Sequence, residues 1–493
     1  MQGLLPTKPQ TIFTRILFIL YALLLGMTVF GGIAADLRYA ANPLALLLPV
    51  ILFVFTCLFF GAFLQKYAVQ KSLCFHGIAG AACVLLFACN VAAGLQLRYA
   101  PLFDLEAIYQ GAIAWAETGS FTNAVFESAS QEYFYMFPNN LGGMTLLFVF
   151  FKFAALFRIT DFFAVAVCCN SLLIACTVNI TAQIARRLYG NAAGLLVLFF
   201  VLMSPPFYFM GAVFYTDTLA MLFPVLAFYL YLRAHESDTY ARRTVRGALC
   251  GLCLAMGAFI KFTVLIAGIA MLIHAVCTLR KHTWKQTAVE LASAILCIAL
   301  LFAVRDAYFY SRHMNRADAD RQQIPLSHWV MMGLGESGGY SPDDYAYTRS
   351  FATLQERDTA ARAEIRRRIG DHGGRGLVSL FYTKGKIAFG DGTYELNTYL
   401  DDRPVYDAPL HALLLPGGAY YPLYEQACTA AFFGVQLLAL AGAVRTVCAK
   451  RADFAHLVPH LCVLGVLLFL CMWEISGRYV LHFLPVLLLC AVR

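Results

Sequence analysis

Charge is what this sequence has least of. Only 13% of its 493 residues are Asp, Glu, Lys or Arg, about half of the roughly 25% usual in soluble domains. With 60% of residues hydrophobic, a soluble globular enzyme is excluded. Proline and glycine, at 17 and 36 residues, are at ordinary levels, so neither a collagen-like repeat nor low-complexity disorder explains the deficit. Tryptophan is down to 4 residues against 26 Tyr and 41 Phe, which leaves interface anchoring mainly to Tyr and Phe. Two long polar stretches, Gln96 to Asp161 and Arg305 to about Gln426, contain no cysteine. A disulfide-stapled exported domain is therefore excluded. All 16 cysteines lie in or beside apolar runs (Cys57, Cys168, Cys169, Cys253, Cys471 and others) without metal-type spacing, as small apolar fillers do. No inverted internal repeat of the transporter kind is legible.

What is abundant is apolar sequence in blocks. Thirteen runs approach or reach the length that spans a hydrocarbon core of about 30 Å. They are Ile12 to Gly32, Leu44 to Phe63, Gly77 to Leu95, Leu141 to Phe157, Phe162 to Ile184, Ala192 to Met203, Thr218 to Leu232, Gly247 to Ile260, Phe262 to Leu279, Ala288 to Val304, Ala427 to Val444, Leu457 to Trp473 and Tyr479 to Val492. The first, behind Lys8 and Arg15, is too long for a signal peptide and reads as an uncleaved anchor. The class is a polytopic, all-α membrane protein.

Lys and Arg in short loops favour the cytoplasm. With the N-terminus inside, a full crossing by Leu141 to Phe157 would turn Arg186/Arg187, Arg242/Arg243/Arg246, Arg280/Lys281/Lys285 and Arg445/Lys450/Arg451 outward. That run, with Lys152 in its middle, is therefore read as a re-entrant or surface-lying helix. About twelve crossings remain, with both termini inside. The basic surplus behind the net charge of +8 then falls in cytoplasmic loops, and no nucleic-acid partner is implied. Three regions follow: a transmembrane module over 1–304 with a first external loop at 96–161, a mainly helical external soluble segment at 305–426, and C-terminal membrane helices at 427–493.

In this topology the ionisable groups nearest the membrane gather at external helix ends. Asp104, Asp217, Lys261, Glu474 and Arg478 come from separate helices and could share one site. The span interiors are nearly free of charge, whereas ion-coupled pumps keep charged groups there for function. His274, Asn170 and Asn179 are the main mid-span polar groups and suit hydrogen bonds between helices. Asp104 stands where a helix begins, so it is either an N-cap or a general base at headgroup level. Asp217 carries the same cap alternative. Tyr133-Phe-Tyr135-Met-Phe137-Pro138-Asn139-Asn140 is an aromatic cluster that either anchors the interface or holds a sugar, with Asn139 and Asn140 orienting it. Lys261 joins two short helices and either snorkels or holds a phosphate. Glu474 and Arg478 flank a tight turn, as an ion pair or as site residues. In the large stretch, His328 is a candidate phosphate donor or acid-base group. The Arg366-Arg367-Arg368 helix reads as a solvated face.

Taken in order and sidedness, these residues resemble the membrane glycosyltransferases of the GT-C fold that use sugars carried on a polyprenyl phosphate, such as protein mannosyltransferases and the aminoarabinose transferase of lipid A. The likeness rests on Asp104 in the first long external loop, a Pro138 juxtamembrane helix, Tyr215-Thr216-Asp217, Ile260-Lys261, and Glu474 with Arg478-Tyr479. Pro138-Asn139-Asn140-Leu141 and His328-Trp329-Val330-Met331-Met332-Gly333 further resemble an uncharacterised branch of Gram-positive bacteria. The chain departs from the pattern in Asp104-Leu105-Glu106, which lacks an adjacent acidic pair, and in Phe137-Pro138-Asn139, where the lipid A branch has Lys-Pro-Pro.

The resemblance implies a GT-C-like helical bundle in the cell membrane with its active site on the extracellular side. It implies an inverting transfer with Asp104 as base. Glu106, Asp217, Asn139, Asn140 and Tyr135 would position acceptor or sugar. Lys261, Arg478, His328 and Tyr479 would bind the donor phosphate, with Glu474 in support. The implied partners are a polyprenyl-phosphate-linked sugar, an acceptor of unspecified class and membrane lipids. No cofactor is required, a divalent cation is optional, and no metal-ligand set is legible. The competing readings are a lipid or sugar transporter or flippase, and a polysaccharide polymerase or ligase.

Overall fold

The computed structural model describes residues 8–35, 44–67, 72–236, 239–279, 284–400, 404–449 and 456–492. The loop charges Lys71, Arg280, Lys281, Lys450 and Arg451 lie outside the described residues. Among those described, the architecture is all-helical, with a lone bridge between Tyr99 and Pro404. Among the described residues, nine helices are long and apolar enough to cross a membrane and four more apolar helices are shorter. Helices are what such runs must form, because in lipid each backbone NH and carbonyl has to find its partner within the segment.

The first three are α1 (Lys8–Ala35), α2 (Leu44–Tyr67) and α3 (Ser72–Gln96), followed by α4 (Phe103–Thr118) and α5 (Leu141–Leu156). Helices α4 and α5 lie side by side. Trp115 stacks on Phe148 with ring centroids 4.1 Å apart, and Lys152 Nζ donates to the Ala116 carbonyl at 2.9 Å. Gly142 lets α5 touch the Phe259 carbonyl, where any Cβ would collide. The start of α5 sits beside Asp104 through Asn140 and Tyr133. Its far end returns to the same rim, because Asp161 just beyond it pairs with Arg98 at the end of α3, 2.5 Å away. Both ends of α5 thus stand at one rim, as in a juxtamembrane helix, while by length and hydropathy the stretch Pro138–Leu156 is itself one of the nine.

Next come α6 (Phe162–Tyr189) and α7 (Asn191–Leu202). Pro205 and Pro206 stop α7, and the chain to Tyr215 is irregular although it is packed among helices. Two buried asparagines replace the missing helical partners. Asn90 of α3 donates to the Phe207 carbonyl and accepts from the Gly211 NH, both at 2.7 Å. Asn170 of α6 donates to the carbonyls of Met210 and Val213 at 3.0 and 2.9 Å. Asn170 thus serves a broken segment, where a bond to a regular helix was expected, and Asn90 is an equal partner that sequence reading passed over. This break delivers Tyr215, Thr216 and Asp217 to the rim. His274 does bond a neighbouring helix, through Tyr231 at 2.7 Å.

Helices α8 (Leu222–His235), α9 (Tyr240–Ile260), α10 (Leu265–Cys277) and α11 (Trp284–Arg312) continue the bundle. The stretch after α11 holds α12 (Leu326–Gly333), α13 (Pro342–Arg349) and α14 (Leu354–Gly390). Thr353 and Glu356 form a capping box at the start of α14, and Gly373 kinks it at φ 57°, a conformation that favours glycine. The first half rests on α12 and α13. Arg368 bridges Asp344 at 2.6 Å and the Met331 carbonyl at 2.8 Å, so this arginine is a structural strut, while Arg366 and Arg367, both exposed, fit the expected solvated face. The second half reaches into the bundle beside Thr28 of α1. The last helices are α15 (Tyr421–Cys448), α16 (Leu457–Met472) and α17 (Leu484–Ala491). Gln436 of α15 donates to the Phe389 carbonyl at 3.0 Å, so the 305–426 stretch is bonded into the membrane helices at its centre. All 16 cysteines are free thiols.

Candidate functional site

One cavity of about 750 Å³ opens where these helix ends meet. Asp104, Asn139, Asn140, Lys261, His328, Glu474, Arg478 and Tyr479 all line it. Residues from four well-separated parts of the chain therefore converge.

Asp104 lies in the first turn of α4, but it is not the cap. Leu102 holds the N-cap position and makes no side-chain cap. Both carboxylate oxygens are taken by phenols instead: Tyr133 donates to Oδ1 at 2.7 Å and Tyr215 to Oδ2 at 2.9 Å. The Tyr133 hydroxyl in turn accepts from the Asn140 amide, which accepts from Asn139 at 3.3 Å. The aspartate is thus held in one orientation from two sides, by the aromatic cluster and by the broken segment.

Glu106 does not reach the cavity. Two residues along a helix point to different faces, and its buried carboxylate accepts the backbone NH groups of Glu127, Ser128 and Ala129 at 2.5, 2.8 and 3.0 Å. Burial raises this carboxyl, and the hydrogen bonds from Ser128 and the three NH groups more than reverse it, to below the ordinary range. The Ser128 hydroxyl, which donates to Glu106, also accepts from the Phe103 NH at 2.7 Å. Phe103 has φ 50°, a strained conformation for a residue with a Cβ. The role expected for Glu106 at the acceptor is therefore replaced by that of a lock on the turn that aims Asp104. Glu106→Ala is expected to lower stability by about 1–3 kcal/mol through unpaired NH groups and to open residues 124–130 to protease. Unchanged melting and cleavage would show that the loop is held otherwise.

Tyr135 is also outside the cavity wall, with its hydroxyl accepting from the Asn315 NH at 3.0 Å. Asp217 stands behind the wall and not in it. It is 3% exposed, Lys261 Nζ donates to its Oδ1 at 2.5 Å, and Arg478 Nε lies 3.8 Å from its Oδ2. One buried carboxylate thus balances two cations that face the cavity, and the expected acceptor role gives way to charge balance. Arg478 also donates to the Tyr399 hydroxyl and lies over the rings of Tyr215 and Tyr479, 5.2 and 5.3 Å from their centroids. Lys261 sits 4.8 Å from the Tyr479 centroid.

Glu474 accepts from the Tyr479 hydroxyl at 2.8 Å, and burial raises its carboxyl above the usual range. His328 is fully buried and bonds Thr348 through Nδ1 at 2.7 Å. Burial pushes its imidazole down to about 4, which favours the neutral ring; a neutral imidazole still donates one hydrogen bond, and Nε2 has no partner among the described residues.

Three supports were not singled out in the sequence. Glu395 accepts from the Ser476 hydroxyl at 2.5 Å and the Gly477 NH at 2.9 Å, fixing the turn before Arg478. Tyr399 is the partner of Arg478. Lys384, buried in α14, donates to the carbonyls of Gly333, Cys471 and Trp473 at 2.9, 3.0 and 2.6 Å and ties α12 to the end of α16. Lys384 and Lys386 stand two apart around Gly385, and no local signal tells which of them is buried. Among the described residues, no group of three or more His, Cys, Asp or Glu is arranged to hold a metal ion.

Fold and site together define a multi-pass, all-helical membrane protein with a charged and aromatic cavity at one rim of its bundle. The chain belongs to the family described as conserved hypothetical integral membrane protein, whose model matches residues 11–493. Among solved structures, it is similar to the crystal structure of ArnT from Cupriavidus metallidurans bound to undecaprenyl phosphate, at 12% identity and a TM-score of 0.38, with 86% of this chain and 78% of that one covered. No curated protein matches the sequence.

Proposed function

We propose that this protein is a membrane glycosyltransferase that moves a sugar from a polyprenyl-phosphate carrier to an acceptor at the outer face of the cell membrane. One observation carries the reading: the two cations Lys261 and Arg478 share a cavity with Asp104 and with an apolar wall of Ile266, Val466, Phe469 and Leu470 from α10 and α16. A carrier with a lipid chain needs just this pairing, cations at headgroup level beside an apolar path. A dissolved nucleotide sugar would need no such wall.

In this mechanism the acceptor hydroxyl or amine attacks the anomeric carbon of the sugar. The new bond forms as the bond from that carbon to the phosphate oxygen breaks, and the electron pair leaves with the phosphate. Asp104 takes the acceptor's proton. Attack opposite the leaving group inverts the anomeric configuration. Charge grows on the departing phosphate as the transition state is reached, so Lys261 and Arg478 act where cations accelerate most. The Tyr133 and Tyr215 hydroxyls keep Asp104 oriented. The outer placement follows from sidedness, because the cavity is at the opposite helix ends from Arg186/Arg187 and Arg242/Arg243/Arg246.

The test is transfer of labelled sugar from a synthetic polyprenyl phosphate by purified protein in nanodiscs, supplied with membrane extract as acceptor. Movement of the intact carrier between vesicle leaflets with no bond change would instead identify a transporter. Lys261→Ala is expected to weaken binding of polyprenyl phosphate about tenfold or more, the loss of one charge-assisted contact. Unchanged affinity in calorimetry would reduce Lys261 to a structural cation.

A further inference from the structure

Resting on that reading of the cavity, we propose that the wall contributed by α12 and α13 is an acceptor subsite for an uncharged pyranose ring, and not for an anionic sugar or a phosphate. The wall is built of ring faces. Phe137 lies 6.0 Å from Trp329 and 6.5 Å from Tyr345, and Trp329 stacks on Trp473 at 6.3 Å and 23°. All four rings line the cavity and are only partly buried. Broad rings of this kind offer large apolar faces at low conformational cost, and the C–H face of a pyranose covers them well.

The polar side chains beside them offer an anion no free cation: Glu474 of the cavity, whose NH donates to the Trp329 carbonyl at 3.0 Å, is itself an acid, and Lys384 is taken by the carbonyls of Gly333, Cys471 and Trp473. The Asn139 amide is exposed at the cavity edge, and burial favours the neutral ring of His328. Both cavity cations, Lys261 and Arg478, stand at Asp217, where the reading above places the donor phosphate. Arg368, behind α12 and α13, is occupied by Asp344 and Glu364, and Arg349 at the end of α13 by Gln322. An anion set on this wall would lose its hydration without gaining a partner, which is costly. The wall is also connected to the base. Tyr133, which donates to Asp104, stands 5.1 Å from Phe137, so a ring on Phe137 and Trp329 has its nearest hydroxyls toward Asp104.

The probes are methyl pyranosides of glucose, galactose, mannose and N-acetylglucosamine, with methyl glucuronide as the anionic match. They are titrated into the full-length protein in nanodiscs with saturation-transfer NMR as the readout. At least one neutral glycoside is expected to bind saturably, about tenfold or more tighter than the glucuronide, and equally well with the phosphate side filled by farnesyl phosphate. Trp329→Ala and Tyr345→Leu should each lose that binding about tenfold, Trp329→Phe should retain most of it, and all three should still bind farnesyl phosphate. Equal binding of the glucuronide, no saturable binding by any neutral probe, or full affinity in both Trp329→Ala and Tyr345→Leu would overturn the proposal. Displacement by farnesyl phosphate would assign the wall to the carrier and overturn it as an acceptor site. If sugar transfer fails while neutral glycosides bind as described, the enzymatic reading falls and the subsite stands. If transfer succeeds without neutral preference, the subsite alone falls.

Discussion

Asp104→Asn is expected to reduce sugar transfer about 10²–10⁴-fold, the usual contribution of a positioned general base, in a protein whose melting is nearly unchanged. The reason is that the two effects are separable at this residue. Asparagine has the shape of aspartate and retains one carbonyl oxygen for the Tyr133 or Tyr215 hydroxyl, while the other phenol can turn to accept from the new amide. What the amide cannot do is take a proton. Binding of farnesyl phosphate at Lys261 and Arg478 should be preserved, because neither cation bonds Asp104. Near-normal turnover by Asp104→Asn would remove it as the base, and a collapse of thermal stability would make it a structural residue.

Asp217→Asn should show the reverse pattern, with a large loss of stability and no loss of phosphate affinity. Its carboxylate is 4% exposed at the side chain and faces Lys261 at 2.5 Å and Arg478 at 3.8 Å. Removing one partner of a buried ion pair leaves uncompensated charge, at a cost of about 3–5 kcal/mol. Here two cations are left with one counter-charge fewer. An added phosphate would fill that deficit, so farnesyl phosphate is expected to bind Asp217→Asn at least as tightly as the parent and to restore much of its thermal stability by linkage. If melting without ligand is unchanged, Asp217 does not balance these cations. If phosphate affinity falls, Asp217 takes part in binding.

The membrane architecture was legible because hydrocarbon leaves the backbone so few options. Each long apolar run had to be a helix, and each short basic loop marked a side. The reading of Leu141 to Arg158 as a re-entrant or surface-lying helix follows from the loop charges alone; the Arg98 to Asp161 pair sets its far end at the starting rim, while length and hydropathy by themselves count the stretch among the crossing helices. Asp104, Lys261, Glu474 and Arg478 were legible as a group since each ends a helix on the same side. Glu106 was misread although the signal was present: it is two positions from Asp104 on one helix, and such residues do not share a face. Tyr135 and Tyr133 also stand two apart, and nothing local told which of the two would reach the aspartate. The burial of His328, which pushes its imidazole down, has no local signal in the sequence.

The sequence by itself determined the class of molecule, the helices and the four ionisable residues that meet at one rim, because those depend on hydropathy and charge summed over short stretches. The tertiary structure alone decided the pairings: Asp217 behind Lys261, Tyr133 and Tyr215 on Asp104, Tyr399 on Arg478, and Lys384 beneath the end of α16. A hydrogen bond or ion pair is fixed within a few tenths of an ångström by how helices distant in sequence pack and break, as at the segment held by Asn90 and Asn170, and local pattern carries no record of that distance.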